Sequence, residues 1–290
     1  MTTPLKLMAC LAHPDDESLG TGGILARYAA EGVLTTLVTA TRGERGWFGR
    51  PEAYPGPEAL GRQRTAELLA AAQVLGLRRV RLLDYGDGEL DRAEPAVVIR
   101  QLVDELRRER PHVVVTFDPH GYYGHPDHIA IAQFTAAALV AAADPDFAGE
   151  SGRPAHRTAK LYYLAPGAGQ QAAYQAAFGE LAMTIDGVVR RATPWAEWAI
   201  TTRVDTAAHW PRVWQAVACH RSQLPGYQVL RDLPAEHHLN LWGSQTFYRA
   251  FSLVNGGRTL EHDLFAGLRT DKAEHELPVF EPAVGVSVPV

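Results

Sequence analysis

The stretch Leu5-Lys6-Leu7-Met8-Ala9-Cys10-Leu11-Ala12-His13-Pro14-Asp15-Asp16-Glu17 passes from an apolar run straight into a polar corner. Leu5 to Ala12 is near-continuously apolar, the pattern of a strand buried on both faces of a parallel sheet. It stops at His13, and four of the five residues from His13 to Glu17 are ionisable. Unpaired carboxylates cannot stay in a sheet interior; they cost several kcal/mol or shift their pKa until they neutralise. A cation would resolve the conflict. So would ordinary capping, with Asp15 or Asp16 as N-cap and Glu17 in the first helical turn. Gly20, Gly22 and Gly23 then let the backbone approach a neighbour closely as the next helix begins. Open α/β sheets place ligands in this position, just beyond the carboxyl end of a strand.

Working outward, helix and strand signals alternate. Residues 24–31 read as a helix ending at Gly32, 34–40 as a strand, 58–75 as a helix stopped by Gly76, and 80–83 as a short strand. Residues 95–110 read as a helix with Pro95 near its start, and 112–117 as the most buried strand. Such alternation with short connections predicts right-handed crossovers and a mostly parallel sheet. The expected class is α/β: a three-layer, Rossmann-like sheet flanked by helices, with a smaller C-terminal α/β extension. Residues 1–142 form the catalytic core of this scheme, and 143–290 complete the sheet and pocket within one compact domain. In the extension, 161–164 and 199–204 read as strands and 170–181 and 205–221 as helices. The pattern is weak from Leu224 on, and the proline-dotted tail after His275 reads as loosely held. The aromatic, proline-rich stretch from Trp47 to Pro57 is either a lid or a surface loop.

After the 112–117 strand comes a second polar cluster, Asp118-Pro119-His120-Gly121-Tyr122-Tyr123-Gly124-His125-Pro126-Asp127-His128, followed by a helix over 129–142. His125 and His128 are three apart, so both imidazoles can reach one side of a helix N-terminus. Two clusters at equivalent topological positions are hard to explain by capping alone. Together with His13, Asp15 and Asp16 they supply a His/Asp/His set suited to Zn²⁺ with an open position, or to Fe²⁺ or Mn²⁺.

Ala12-His13-Pro14-Asp15-Asp16-Glu17 together with Gly124-His125-Pro126-Asp127-His128 resembles the PIG-L/LmbE family of zinc-dependent de-N-acetylases. That family includes the N-acetylglucosaminyl-phosphatidylinositol deacetylase and enzymes of mycothiol and bacillithiol metabolism. The resemblance runs from about Leu5 to Ala142, with Thr41-Arg42-Gly43-Glu44, Arg64-Thr65-Ala66-Glu67-Leu68, His220-Arg221-Ser222-Gln223 and Asp263-Leu264-Phe265 as further similar elements. It implies His13, Asp16 and His128 as metal ligands and Asp15 as general base. It further implies that His125 stabilises the intermediate or protonates the leaving amine. Tyr123 is a second candidate for the oxyanion, and Asp127 for orienting a histidine. Arg64, Asp87, Glu44 and His220 are candidates for contact with substrate.

The implied reaction is removal of the N-acetyl group from an N-acetylglucosamine-type, small-molecule amino-sugar substrate. An amidase for a larger acyl group, such as that of a mycothiol S-conjugate, is the close alternative. A non-catalytic sugar-binding module is the distant one. The residues after 143, where the resemblance thins, would decide between substrates. No G-x-G-x-x-G follows the first strand, which disfavours a dinucleotide enzyme. In a chain of 290 residues with 46% hydrophobic composition, a formal charge of −5 and no basic stripe argue against nucleic-acid binding. Two cysteines offer no disulfide framework. With neither a signal peptide nor a membrane span in view at the N-terminus, the expected location is cytoplasmic. The oligomeric state stays open, a homo-oligomer included.

Overall fold

The computed structural model describes residues 4–149 and 151–269; the tail after His275 lies outside them. The described residues follow the expected alternation through the first half: β1 (Lys6–Leu11), α1 (Asp16–Leu19), α2 (Gly22–Ala30), β2 (Leu34–Thr41), α3 (Pro57–Leu75), β3 (Arg79–Tyr85), α4 (Pro95–Glu109) and β4 (Val113–Thr116). A single distorted turn, α5 (Gly121–Gly124), leads into α6 (Pro126–Ala143). The second half runs β5 (Lys160–Leu164), α7 (Ala168–Phe178), β6 (Ala182–Ile185), β7 (Val188–Arg191), β8 (Thr202–Asp205), α8 (Trp210–Val217), α9 (Leu224–Arg231), α10 (Ala235–Trp242) and β9 (Ser244–Ser252).

One seven-stranded sheet in the order β3-β2-β1-β4-β5-β9-β8 carries the fold. Its first five strands are parallel, while β9 pairs antiparallel with both β5 and β8. The chain thus builds outward from β1 through β2 to β3, then returns to the other side of β1 with β4. Between β1 and β4 the strand order reverses, and the loops leaving these two strands open the crevice where α/β sheets bind ligands. The two polar clusters of the sequence are those two loops.

The core explains why β1 and β4 lie at the centre. Leu7, Ala9, Leu11, Val113, Val114 and Val115 are fully buried, and each large aliphatic side chain so buried contributes about 1.5–3 kcal/mol. Helix α6 is long and apolar enough to cross a membrane by length and composition, but 56% of it is buried within the protein. Its first turn carries the polar cluster, which marks it as the covering helix of the sheet.

The close approach at the first helix is made at Gly23, where a Cβ would stand 2.8 Å from the Thr206 side chain. Two expectations need correction. The helix foreseen over 205–221 is shorter, because Pro211 sits in the first turn of α8 and a 3-10 turn (Ala207–His209) precedes it. The weak pattern after Leu224 conceals α9, α10 and β9, and β9 is an interior strand of the main sheet. The hairpin β6–β7, whose strands are only four residues each, also lacked a readable signal.

Candidate active site

His13 leaves β1 with its two ring nitrogens engaged on opposite sides. Nε2 faces two carboxylates, Asp127 Oδ2 at 3.1 Å and Asp87 Oδ1 at 3.2 Å. Nδ1 lies 3.2 Å from His128 Nε2 and 3.6 Å from Asp16 Oδ2. His128, in the first turn of α6, donates from Nδ1 to the Gly121 carbonyl at 3.2 Å, so that Nε2 is left as a bare lone pair. Phe117, the last residue before the second cluster, stacks on the His128 ring at 3.8 Å and fixes its plane. Asp16 faces both rings with different oxygens: Oδ1 lies 3.6 Å from His128 Nε2, while Oδ2, on the His13 side, also accepts the Ala12 and His13 backbone N–H groups at 3.2 and 2.7 Å.

The donor set suits a metal. With the outer nitrogen of each imidazole donating to protein, the neutral rings would present Nδ1 of His13 and Nε2 of His128 as lone pairs to each other and to a carboxylate. Three acceptors converging at 3.2–3.6 Å repel unless a cation lies between them. Ligands about 2.0–2.1 Å from a tetrahedral zinc stand about 3.3 Å apart, which matches. A donor set on the far side of His13, made with Asp87 and Asp127, is also compact. Its carboxylates are already engaged: Asp127 accepts from Gly88 N at 2.7 Å and Leu90 N at 3.0 Å, and Asp87 accepts from Arg45 N at 2.9 Å. Those two acids therefore orient the ring, and the Nδ1 side faces the cavity. His125 also brings a nitrogen within reach of His13 and His128. Its Nδ1 accepts the Asp127 backbone N–H at 3.1 Å, so the neutral ring carries its proton on Nε2 as a donor.

The electrostatics set the two ligand histidines apart. Burial pushes the Asp16 carboxyl up, but His128 and His13 outweigh it and hold the group below its ordinary value. Burial also pulls His128 down, to about 3, which leaves it neutral and able to ligate. His13 is opposite in sign: hydrogen bonds with Asp127, Asp16 and Asp87 overcome burial and raise it well above its usual value, so a proton on Nδ1 is the cation between these acceptors until an ion displaces it. His125 is lowered by burial and by His13, and so stays neutral near pH 7.

Asp15 sits beside this cluster in a conformation that few non-glycine residues adopt, with φ +104°. Such strain is stored where neighbours over-determine the geometry. Here the Asp15 backbone N–H donates to Glu17 Oε2 at 2.9 Å, while Arg64 Nη2 and the Tyr227 hydroxyl donate to Asp15 Oδ2 at 3.0 and 2.9 Å. Oδ1 keeps no protein partner among the described residues. Burial raises the Asp15 pKa and Asp16 adds to it, against the lowering effect of Arg64.

The four residues named as candidate substrate contacts sit differently. Arg64 reaches the cavity wall, but its two terminal nitrogens are spent on Asp15, the Pro14 carbonyl and the Gly43 carbonyl. Gly43 has to be glycine for this, since a Cβ there would fall 2.3 Å from the guanidinium. Asp87 lines the cavity but holds His13. Glu44 lies behind it, accepting from Asp87 N at 2.8 Å and shaping that loop. His220 is wholly buried, bonded through Nε2 to Glu17 Oε1 at 2.7 Å, so it supports the corner from behind. Ser222 caps Glu67 of α3 through both its N–H and its hydroxyl, at 2.9 and 2.7 Å. The His220-Arg221-Ser222-Gln223 element is thus a brace tying α1 to α3. Tyr123 lines the cavity with its ring 5.3 Å from that of His128, and burial raises its hydroxyl pKa, so it remains a donor.

Tyr227, Glu17 and Phe117 were not foreseen as parts of the site. Phe117 adjoins a cluster and was within reach of sequence reasoning; Tyr227, more than two hundred residues from Asp15, had no local signal.

The chain is similar to known proteins. Residues 8–139 match the PIG-L family model, described as GlcNAc-PI de-N-acetylase. The chain is 32% identical to the 1D-myo-inositol 2-acetamido-2-deoxy-alpha-D-glucopyranoside deacetylase of Kineococcus radiotolerans, over 91% of this chain and 83% of that protein. It is 33% identical to the enzyme of the same description from Thermobispora bispora, over 89% and 96%. Among solved structures, the conserved protein TT1542 from Thermus thermophilus superimposes with a TM-score of 0.62 at 27% identity, covering 87% of this chain and 97% of that one.

Proposed function

Because the chain belongs to the PIG-L family of de-N-acetylases, we propose that it is a zinc-dependent hydrolase that removes the acetyl group from an N-acetylglucosamine-type amino sugar. What supports this most is one juxtaposition: the acceptor triangle of His13, Asp16 and His128 lies beside a strained carboxylate, Asp15, with one oxygen free. Two imidazoles and one carboxylate suit zinc. A bound ion would polarise the amide carbonyl and make a water molecule acidic enough to give up its proton near neutral pH.

The chain's own groups divide the remaining work. Asp15 Oδ1 takes the proton from the attacking water, while Arg64 and Tyr227 hold the other oxygen and fix the plane of the carboxylate. His125, proton on Nε2, and the Tyr123 hydroxyl are the donors for charge developing on the carbonyl oxygen. As the C–N bond breaks, the proton held by Asp15 passes to the departing amine nitrogen, leaving acetate and a free amino sugar. Asp127 and Asp87 keep the His13 ring turned so that Nδ1 faces inward.

The test is metal content together with amine release from N-acetylglucosamine glycosides. Asp15→Asn should keep the metal and lose about 10²–10⁴-fold in kcat, whereas His128→Ala should lose the metal. Wild-type turnover in Asp15→Asn would refute the assignment of the base.

A further inference from the structure

Resting on the hydrolase reading above, we infer that the substrate carries an apolar substituent, on its acyl group or on its glycosidic oxygen, which packs on a carbon-rich wall adjoining Asp15. The cavity is about 530 Å³, in the range of pockets that take drug-sized ligands. Tyr227 joins its two regions. Its hydroxyl bonds Asp15 Oδ2 at 2.9 Å, while its ring meets Phe178 edge-on at 5.7 Å and Phe48 at 6.2 Å. Phe178 stacks in turn on Tyr174 at 5.7 Å, and Leu181 and Met183 complete the same wall.

These side chains come from the loop after β2, from α7 and the hairpin that follows it, and from α9. Only the fold brings them together, and they face the cavity as well as each other. Phe48 stays 54% exposed at the rim, so this wall is more than an extension of the core.

Three polar residues lining the cavity, Gln245, Thr246 and Tyr174, point the same way, because their side chains are already used. Gln245 accepts from Ile24 N and donates to the Gly20 carbonyl, both at 2.7 Å, and Thr246 donates to the Ala165 carbonyl at 2.6 Å. The Tyr174 hydroxyl donates to the Leu19 carbonyl at 2.5 Å. A polyol lodged here would leave several hydroxyls unpaired, which lowers affinity. A ring or short chain of carbon would instead gain by leaving water.

The experiment uses the whole 290-residue chain, loaded with zinc, and follows primary amine release from three probes. These are the methyl glycoside of N-acetylglucosamine, the benzyl glycoside, and the methyl glycoside bearing N-hexanoyl in place of N-acetyl. The expected result is a kcat/KM at least about tenfold above the methyl N-acetyl probe for one of the two apolar probes. A gain with benzyl places the apolar group on the aglycone; a gain with hexanoyl places it on the acyl side. Phe48→Ser and Met183→Gln, with folding checked by circular dichroism, should move that ratio toward one. Cleavage of all three probes with ratios near one, or a preference that neither substitution moves, overturns the inference. Absence of amine release from every probe would instead sink the hydrolase reading, and the inference with it.

Discussion

Replacing Asp127 by Asn would separate the role of holding His13 from that of holding the metal. The Asp127 side chain is fully buried and makes three contacts: Oδ2 takes Gly88 N at 2.7 Å and His13 Nε2 at 3.1 Å, and Oδ1 takes Leu90 N at 3.0 Å. Asn has one acceptor oxygen. Placed toward Gly88 and His13, that oxygen turns the amide NH₂ against the Leu90 N–H, leaving one buried donor unpaired. The stability loss should be about 1–3 kcal/mol, read as a lower midpoint in denaturant with an unchanged slope. His13 keeps Asp87 as a second partner at 3.2 Å, so the ring should not swing free. Metal affinity should fall about 10–100-fold, the usual consequence of losing an outer carboxylate, measured by competition with a chelator. Unchanged affinity in a variant that has lost stability would mean that Asp127 serves only the loop, and that His13 is oriented by something else.

Further outcomes follow from the same geometry. Tyr227→Phe removes a donor that stabilises ionised Asp15, so the acid limb of kcat/KM should move to higher pH. The sign follows from the state required: the base works only when charged, and its pKa already lies above the ordinary carboxylate value through burial. A limb unmoved in the pH-rate profile would mean that Asp15 does not set it. His220→Ala leaves the fully buried Glu17 without its cation, and should cost about 3–5 kcal/mol by denaturant titration. Glu261, bonded to Lys160 at 2.7 Å, is held at about 2 because Lys160, Tyr162 and Asn255 outweigh the effect of burial. Its pKa is depressed in the folded state, so its contribution is complete above the unfolded value of about 4.3 and is lost as pH falls toward 2. Glu261→Gln should therefore be less stable at neutral pH and flatter across that acid window, as thermal melts at stepped pH would show.

The local pattern marks the ends of the central strands, and the reason is physical. A strand buried on both faces must be apolar throughout, so the abrupt charge at His13 and again at Asp118 marks the strand ends and the loops beyond them. That much needs no third dimension, and it carries the α/β class and the two polar clusters; the choice of His13, Asp16 and His128 within them is what the family resemblance implies. Pairing between distant segments is another matter. Nothing in the run from Ser244 to Ser252 distinguishes an edge strand from one inserted antiparallel between β5 and β8, because register depends on what lies on either side. Glu44, Arg64, Asp87 and His220 are polar residues near loops, and the sequence cannot say whether their hydrogen bonds go to a ligand or to the protein. The folded chain sends them inward, to the Asp87 loop, the Asp15 carboxylate, His13 and Glu17. Tyr227 is the converse case, an unremarkable helical tyrosine until packing of α9 carries its hydroxyl to Asp15. Charge and periodicity are local properties and can be read along the chain; a hydrogen bond between residues two hundred positions apart exists only once the layers have packed.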